Sequence, residues 1–262
     1  PTRLSLPLTR DVEARIIARG LLAGALGGVA AFLFARIFLE PVIGRAIDFE
    51  DAMSAMQEHG GHEHGGHEHG VELFSRGVQA NIGMGFGVLV FGLAMGALLA
   101  VVFSVAYGRV GDLAARPLAA LLAGAMLLCV FVVPALKYPP NPPASSLEET
   151  IRQRTLLYLL LVVASVVLLV VAVVVGRRLT ARLGTWNATL AAAGGYLVAI
   201  GAVMVAMPTI AEAPEGFPAD VLYDFRLYSL GAQVVMWVTI GLVFAESMRR
   251  LLGTPTRSSI SA

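Results

Sequence analysis

All five histidines of this chain lie within eleven residues, in the segment EHGGHEHGGHEHG, where the unit GGHEH occurs twice. Imidazole is a ligand for Co, Ni, Zn and Cu(II), and the interleaved glutamates add carboxylate oxygens. The glycines let a short stretch of backbone fold around one ion. We therefore predict that residues 59–69 bind a divalent transition metal, with the ligands His59, His62, His64, His67, His69, Glu63 and Glu68.

The spacing within this histidine segment favours chelation over a rigid site. Without a thiolate or a fixed scaffold, the segment cannot select a metal by geometry, and the Irving–Williams order favours Cu, Ni or Zn over Co. Because the ligands must be neutral imidazoles, with an ordinary pKa of about 6.5, we expect binding to weaken below that pH. The alternative is a low-complexity connector with incidental metal affinity.

The composition indicates an integral membrane protein. Of 262 residues, 57% are hydrophobic and 14% charged, whereas a soluble domain carries roughly a quarter of charged residues. The formal net charge of +1 provides no basic field for a nucleic acid. A single cysteine, Cys129, excludes an intrachain disulfide and a zinc site of paired cysteines.

Six segments are long and apolar enough to cross a hydrocarbon core of about 30 Å as helices. They predict an all-α, polytopic fold that forms one transmembrane domain over 1–262. In the first and second spans, the glycine stripe at 20, 24 and 28 predicts close helix packing, and so do the glycines that follow Asn81. The predicted spans are 17–39, 82–106, 117–136, 156–176, 187–207 and 228–246.

Positive charges predict the orientation of these spans. Twelve arginines fall at the termini and in the second and fourth connections, whereas the opposite connections hold six arginines and lysines. Under the positive-inside rule, both termini are cytoplasmic and the histidine segment lies in an outer loop, 40–80. Fourteen of the eighteen acidic residues also fall on the outer side. This anionic outer face would concentrate cations.

A few polar residues at or near the membrane are candidates for a cation path. Glu40 lies one helical turn from Arg36, which suits a pore mouth and a structural salt bridge equally. Asn81 opens the second span beside glycine-rich backbone that an ion could approach. Asp220 and Asp224 precede the sixth span. We predict a transport path through Glu40, Asn81, Asp220 and Asp224.

The sequence contains no pattern of a known catalytic site. It lacks H-E-x-x-H and the Walker A glycine loop, and it shows neither paired catalytic acids nor a nucleophile with its base. We therefore expect that this protein is not an enzyme and does not itself hydrolyse ATP.

Three further motifs resemble the CbtA family of predicted cobalt transporter subunits. They are K-Y-P-P-N-P-P at 137–143, Arg154-Thr155 followed by Tyr158, and F-P-A-D-x-L-x-x-F-R-L at 217–227. The resemblance extends from the first span to the sixth. It implies a bacterial inner-membrane protein linked to cobalt supply, accompanied by a small CbtB subunit with its own histidine motif. The histidine segment of the present chain is an insertion relative to that family.

Together these features predict a permease subunit for divalent metal uptake, with Co²⁺ as the first choice of cargo, Ni²⁺ the second, and Zn²⁺ also within the reach of these ligands. An inside-negative potential of 100 mV supplies about 4.6 kcal/mol for a divalent cation. The alternative is a non-transporting accessory subunit that buffers metal for a larger complex. Metal identity, coupling ion and homo-oligomer formation stay open.

Overall fold

Helices make up the regular structure of this chain. The computed structural model describes residues 10–60, 82–142, 148–210 and 216–252, without the side chains of 57–60 and 148–150, and it contains no strand within these ranges. This confirms the predicted all-α class. The helices are α1 (Arg10–Phe34), α2 (Glu40–Gly60), α3 (Met84–Ala106), α4 (Ala115–Met126), α5 (Val133–Lys137), α6 (Glu148–Ala206) and α7 (Ala219–Leu252), and π-helical turns at Ala35–Leu39 and Leu127–Val132 join α1 to α2 and α4 to α5.

Five continuous helical stretches among the described residues are long and apolar enough to cross a membrane. The first, third and sixth predicted spans each lie within a stretch of their own, and the second predicted span begins two residues before its stretch. The fourth and fifth share one stretch, α6. This arrangement supports a polytopic membrane protein. The five stretches are Arg10–Met56, Met84–Ala106, Ala115–Lys137, Ile151–Ala206 and Ala219–Leu252.

Helix α6 folds back on itself at Gly184. This glycine has φ +74°, in the left-handed region that other residues avoid, and it interrupts the helical backbone. The Ser165 and Tyr196 hydroxyls are 2.8 Å apart, although a straight helix would separate two such residues by about 46 Å. A Cβ placed on Gly176 would lie 2.9 Å from that of Ala192. The two limbs of α6 therefore run side by side.

Both π-helical turns come just before a proline. Ala35–Leu39 precedes Pro41, and Leu127–Val132 precedes Pro134. Proline lacks the N–H of an intrahelical bond, and its ring clashes with the carbonyl of the fourth preceding residue. A wider π turn accommodates that mismatch without ending the helix. For this reason the first membrane-spanning helix does not stop at residue 39, where the predicted span ends, and instead continues to Gly60.

The chain divides into two compact units. The first unit comprises Pro1–Val42, Ala55–Leu127 and Leu227–Ala262, and the second comprises Ile43–Ser54 and Leu128–Arg226. The prediction of a single transmembrane domain stays a prediction.

Glycines allow very close packing of α1 against α3 in the first unit. A Cβ on Gly24 would collide with the carbonyl oxygen of Gly92, and one on Gly20 would lie 2.5 Å from the carbonyl oxygen of Gly96. A Cβ on Gly28 would lie 3.0 Å from the Cα of Leu89. The glycine stripe on α1 is therefore a packing surface, as predicted, on which two backbones approach without intervening side chains. The same prediction for the glycines after Asn81 is wrong within the described residues: a Cβ on Gly83 or Gly87 meets no atom within 4 Å, and one on Gly85 meets a side chain, the ring of Phe32.

Aromatic and aliphatic side chains fill the rest of the core of the first unit. Phe103 of α3 meets Phe244 of α7 edge to face, with ring centroids 5.5 Å apart. Trp237 and Ile240 of α7 are buried in the same cluster, and Gly27 of α1 leaves room for the Ile240 side chain. This core fixes the part of α7 from Leu227 onward within the first unit.

Candidate functional site

Residues 61–69 of the predicted metal segment and Asn81 lie outside the described residues, and the side chain of His59 is not described either. The backbone of α2 continues to Gly60, so the first part of the predicted outer loop 40–80 is helical. The segment 59–69 thus begins where this helix ends. Metal binding by the histidine segment, and a role for Asn81, stay predictions.

Asp220 and Asp224 lie next to each other and share one counter-ion, Arg45. They are four residues apart on α7, near its first turn. The Arg45 Nη2 of α2 donates to the Asp224 Oδ2 at 2.7 Å, and its Nη1 donates to the Asp220 Oδ2 at 3.4 Å. Asp220 is largely exposed and Asp224 partly buried. The cluster is therefore an accessible, net anionic site in which a guanidinium group already occupies the position of a cation.

Glu40, the remaining residue of the predicted path, belongs to the first unit. It is half-buried and begins α2 directly after the π-helical turn. Arg36, its neighbour one turn earlier, is exposed. Asp220 and Asp224 belong to the second unit and are the two path residues that the structure brings together.

The motifs that resemble the CbtA family join in one hydrogen-bonded network. The Arg226 Nη2, from the third motif, donates to the Asn141 Oδ1 of the first motif at 3.0 Å. Arg154, from the second motif, donates to the carbonyl oxygen of Pro139 in the first motif. The proline-rich segment is thus held between two arginines, each placed just before a predicted span. All of these residues lie in the second unit.

Tyrosines complete the hydrogen bonding of helices interrupted by proline. Pro134 has no N–H to offer to the carbonyl of Val130, and the Tyr158 hydroxyl donates to that oxygen at 2.9 Å. The Tyr138 hydroxyl donates to the carbonyl oxygen of Pro208 at 2.8 Å, just beyond the end of α6. Burial raises the pKa of the Tyr138 hydroxyl, so the group stays a donor. These tyrosines hold the proline-containing ends in place.

Replacing Tyr158 by phenylalanine should destabilise the second unit, because the carbonyl of Val130 would lose its donor. A lost bond to a half-buried carbonyl costs about 1–2 kcal/mol. The measurement is the midpoint of thermal unfolding of the full chain in detergent. Tyr223→Phe is the matched control, since Tyr223 lies on α7 and is 66% exposed. Equal midpoints for Tyr158→Phe and the wild type would show that this bond does not matter.

The interior of the described structure is mostly apolar. Within the described ranges, Ser165 is the one fully buried polar residue of this interior. The Ser165 hydroxyl forms a hydrogen bond with the hydroxyl of Tyr196. Cys129 is buried with a free thiol. No three His, Cys, Asp or Glu residues come together as a metal-binding group within the described ranges.

Sequence reasoning did not assign a role to Arg45, Asn141 or Tyr138. Arg45 could have been recognised, since it is the only arginine or lysine of α2, a helix rich in acidic residues. Asn141 lies amid four prolines and offers the only polar side chain between Tyr138 and Ala144. Its pairing with Arg226, 85 residues later, had no local signal.

Comparison with known proteins supports one family. A sequence profile described as "Probable cobalt transporter subunit (CbtA)" matches residues 13–249. No curated protein and no solved structure matches the chain significantly. The match covers most of the chain and contains the three motifs together with Arg45, Asp220 and Asp224. The chain therefore belongs to the CbtA family of probable cobalt transporter subunits.

Proposed function

We propose that this protein is a permease subunit that imports a divalent transition metal, Co²⁺ first and Ni²⁺ second. The observation that carries the proposal is the CbtA match over residues 13–249. The apolar helices support a multi-pass membrane protein. In the proposed topology the chain crosses six times, since the two limbs of α6 count separately, and both termini are cytoplasmic.

The histidine segment captures the ion on the outer side in this proposal. Its imidazoles and carboxylates bind Co²⁺, Ni²⁺ or Zn²⁺ without strong selectivity. Cargo selection then depends on other parts of the transporter. Because the ligands must be unprotonated, capture is strongest above a pH of about 6.5.

The acidic pair Asp220 and Asp224 serves as a relay for the captured ion. Arg45 donates to both carboxylates and holds them in place. A divalent cation carries twice the charge of a guanidinium, and it would displace Arg45 from carboxylates that remain open to solvent. Glu40 and Asn81 are further residues of the path. An inside-negative potential drives the ion inward.

The family description bears on the partner subunit and the membrane of the transporter. The family is named as a transporter subunit, which supports a partner, and we propose a small CbtB-like subunit in a bacterial inner membrane. Assembly with further copies of this chain, as a homo-oligomer, is the other form of assembly that we propose. The protein has no catalytic role in this account.

A second candidate function is a non-transporting accessory subunit that buffers metal for another complex. The apolar interior favours it, since the described residues contain no group of three metal ligands. A permease must offer the ion a continuous hydrated or polar route, whereas an accessory subunit can be closed. Metal transport measured in cells separates the two functions.

The test is the content of cobalt, nickel and zinc in a metal-starved host, measured by mass spectrometry. We expect the full chain to raise cobalt, and deletion of residues 59–69 to lower it at low external concentration. The double variant Asp220→Asn and Asp224→Asn should lower uptake at all concentrations. Asp112→Asn, an exposed acid of the connection between α3 and α4, is the control. Metal contents equal to those of the empty host, when the proposed small partner subunit is expressed as well, would contradict the permease.

A further inference from the structure

Two arginines of the second unit lie together where two predicted spans begin. Arg154 precedes the span 156–176 by two residues, and Arg226 precedes the span 228–246 by two residues. Both side chains are half-buried, and they are close enough for their charges to repel. We refer to Arg154 and Arg226 as the arginine pair.

The described contacts leave Arg226 incompletely satisfied. Its Nη2 donates to Asn141, a neutral amide. Its Nε is buried and has no hydrogen-bond partner within the described residues. Burial removes part of the hydration of this guanidinium, and the charge of Arg154 adds a repulsion. A buried cationic donor without an acceptor is costly, so the site favours an anion.

The described acids nearest in sequence do not serve Arg226. Asp220 and Asp224 lie on the same helix, yet both are bonded to Arg45. The charge of Arg226 thus calls for an anion that the described residues do not supply.

The position of the pair indicates which anion is available. The beginning of a membrane span lies at the depth of the lipid headgroups, where phosphate is the common anion. A guanidinium matches phosphate oxygens with two parallel N–H donors. Directly after Arg154, the exposed side chains of Leu156, Leu159 and Leu160 offer an apolar surface to acyl chains.

We propose that the arginine pair binds the phosphate group of a membrane phospholipid, with Arg226 as the main donor and Asn141 orienting its guanidinium. The lipid neutralises the charge of Arg226 and fastens the proline-rich segment at headgroup depth. This inference goes beyond the proposed transport function and does not depend on it, because lipid binding requires no metal.

Native mass spectrometry of the full chain in detergent tests the proposal, with phosphatidylglycerol as the added probe. We expect the wild type to bind this lipid and Arg226→Gln to bind it about tenfold more weakly, since a bond to a charged group is lost. Arg152→Gln is the matched control: Arg152 is exposed, two residues from Arg154, and should bind like the wild type.

Two further arms separate lipid recognition from a damaged fold and from free phosphate. Arg226→Lys keeps the positive charge and loses the paired N–H donors, so it should bind the lipid with intermediate affinity. Equal affinities for the wild type and Arg226→Gln would overturn the proposal, and so would a loss in Arg152→Gln as large as that in Arg226→Gln. The proposal would also be overturned if inorganic phosphate bound the wild type and not Arg226→Gln, while the two proteins bound the lipid equally well.

Discussion

Replacing Gly96 by valine is expected to separate α1 from α3 and to destabilise the first unit strongly. A Cβ at this position collides with the carbonyl oxygen of Gly20 and lies 2.7 Å from the Cα and the nitrogen of Gly24. These neighbours are backbone atoms that cannot rotate away, so the helices themselves must move. Overpacking of this kind costs about 3 kcal/mol. The midpoint of thermal unfolding of the purified chain in detergent measures the effect.

Gly87→Val is the matched control for this prediction. Gly87 lies on the same helix, and a Cβ placed there meets no atom within 4 Å. The control changes side-chain volume and helix propensity in the same way as Gly96→Val. We expect its unfolding midpoint to stay close to that of the wild type. A Gly96→Val protein as stable as Gly87→Val would show that α1 and α3 do not pack through these glycines.

Replacing all five histidines of the segment 59–69 by alanine should abolish tight binding of Co²⁺ to the purified chain. Loss of one residue that hydrogen-bonds to a metal ligand lowers metal affinity roughly 10–100-fold. We expect a larger fall in the apparent affinity here, because the ligands themselves are removed. Isothermal titration with Co²⁺ at pH 7.5 gives the affinity. Ni²⁺ and Zn²⁺ should show the same loss.

The pH dependence offers an internal check on the histidine ligands. Protonated imidazole cannot bind a metal, so Co²⁺ binding by the wild type should weaken from pH 7.5 to 5.5. Glu50→Gln with Asp51→Asn, which removes two acids of α2 outside the segment, should bind like the wild type. Tight Co²⁺ binding by the five-alanine variant would show that the segment is not the capture site.

The helices of this fold follow from local features of the sequence, so much of the architecture could be predicted. Runs of apolar residues mark the spans, and the glycine stripe at 20, 24 and 28 predicts the packing of α1, which the contacts with α3 confirm. The extension of α2 to Gly60 was not predicted, because the polar residues beyond 39 resemble a loop. The helix continues through these polar residues because they have sufficient helix propensity and because the π-helical turn accommodates Pro41.

The fold-back of α6 was predicted as two separate spans, and the structure shows how they connect. The chain stays helical on both sides of Gly184, because the connecting sequence RRLTARLGTWN contains good helix formers and only one break. A single residue with positive φ reverses the direction, and sequence alone does not show which glycine adopts it.

The candidate site was predictable in its residue types and not in its pairings. Asp220 and Asp224 stood out as acids before a span, but their bonds to Arg45 join residues 175 and 179 positions apart. Arg226 and Asn141 meet across 85 residues. Such contacts depend on tertiary packing of the second unit, which local patterns do not encode.

Metal entry into sealed vesicles tests the central claim most directly. The full chain, purified with the subunits that stay bound to it, is reconstituted into vesicles that contain a metal-sensitive fluorophore. With an inside-negative potential of about 100 mV, worth about 4.6 kcal/mol for a divalent ion, we predict Co²⁺ entry faster than in protein-free vesicles. Asp220→Asn with Asp224→Asn should slow this entry, and Asp112→Asn should not. Entry no faster than in protein-free vesicles would contradict the permease and favour the accessory subunit.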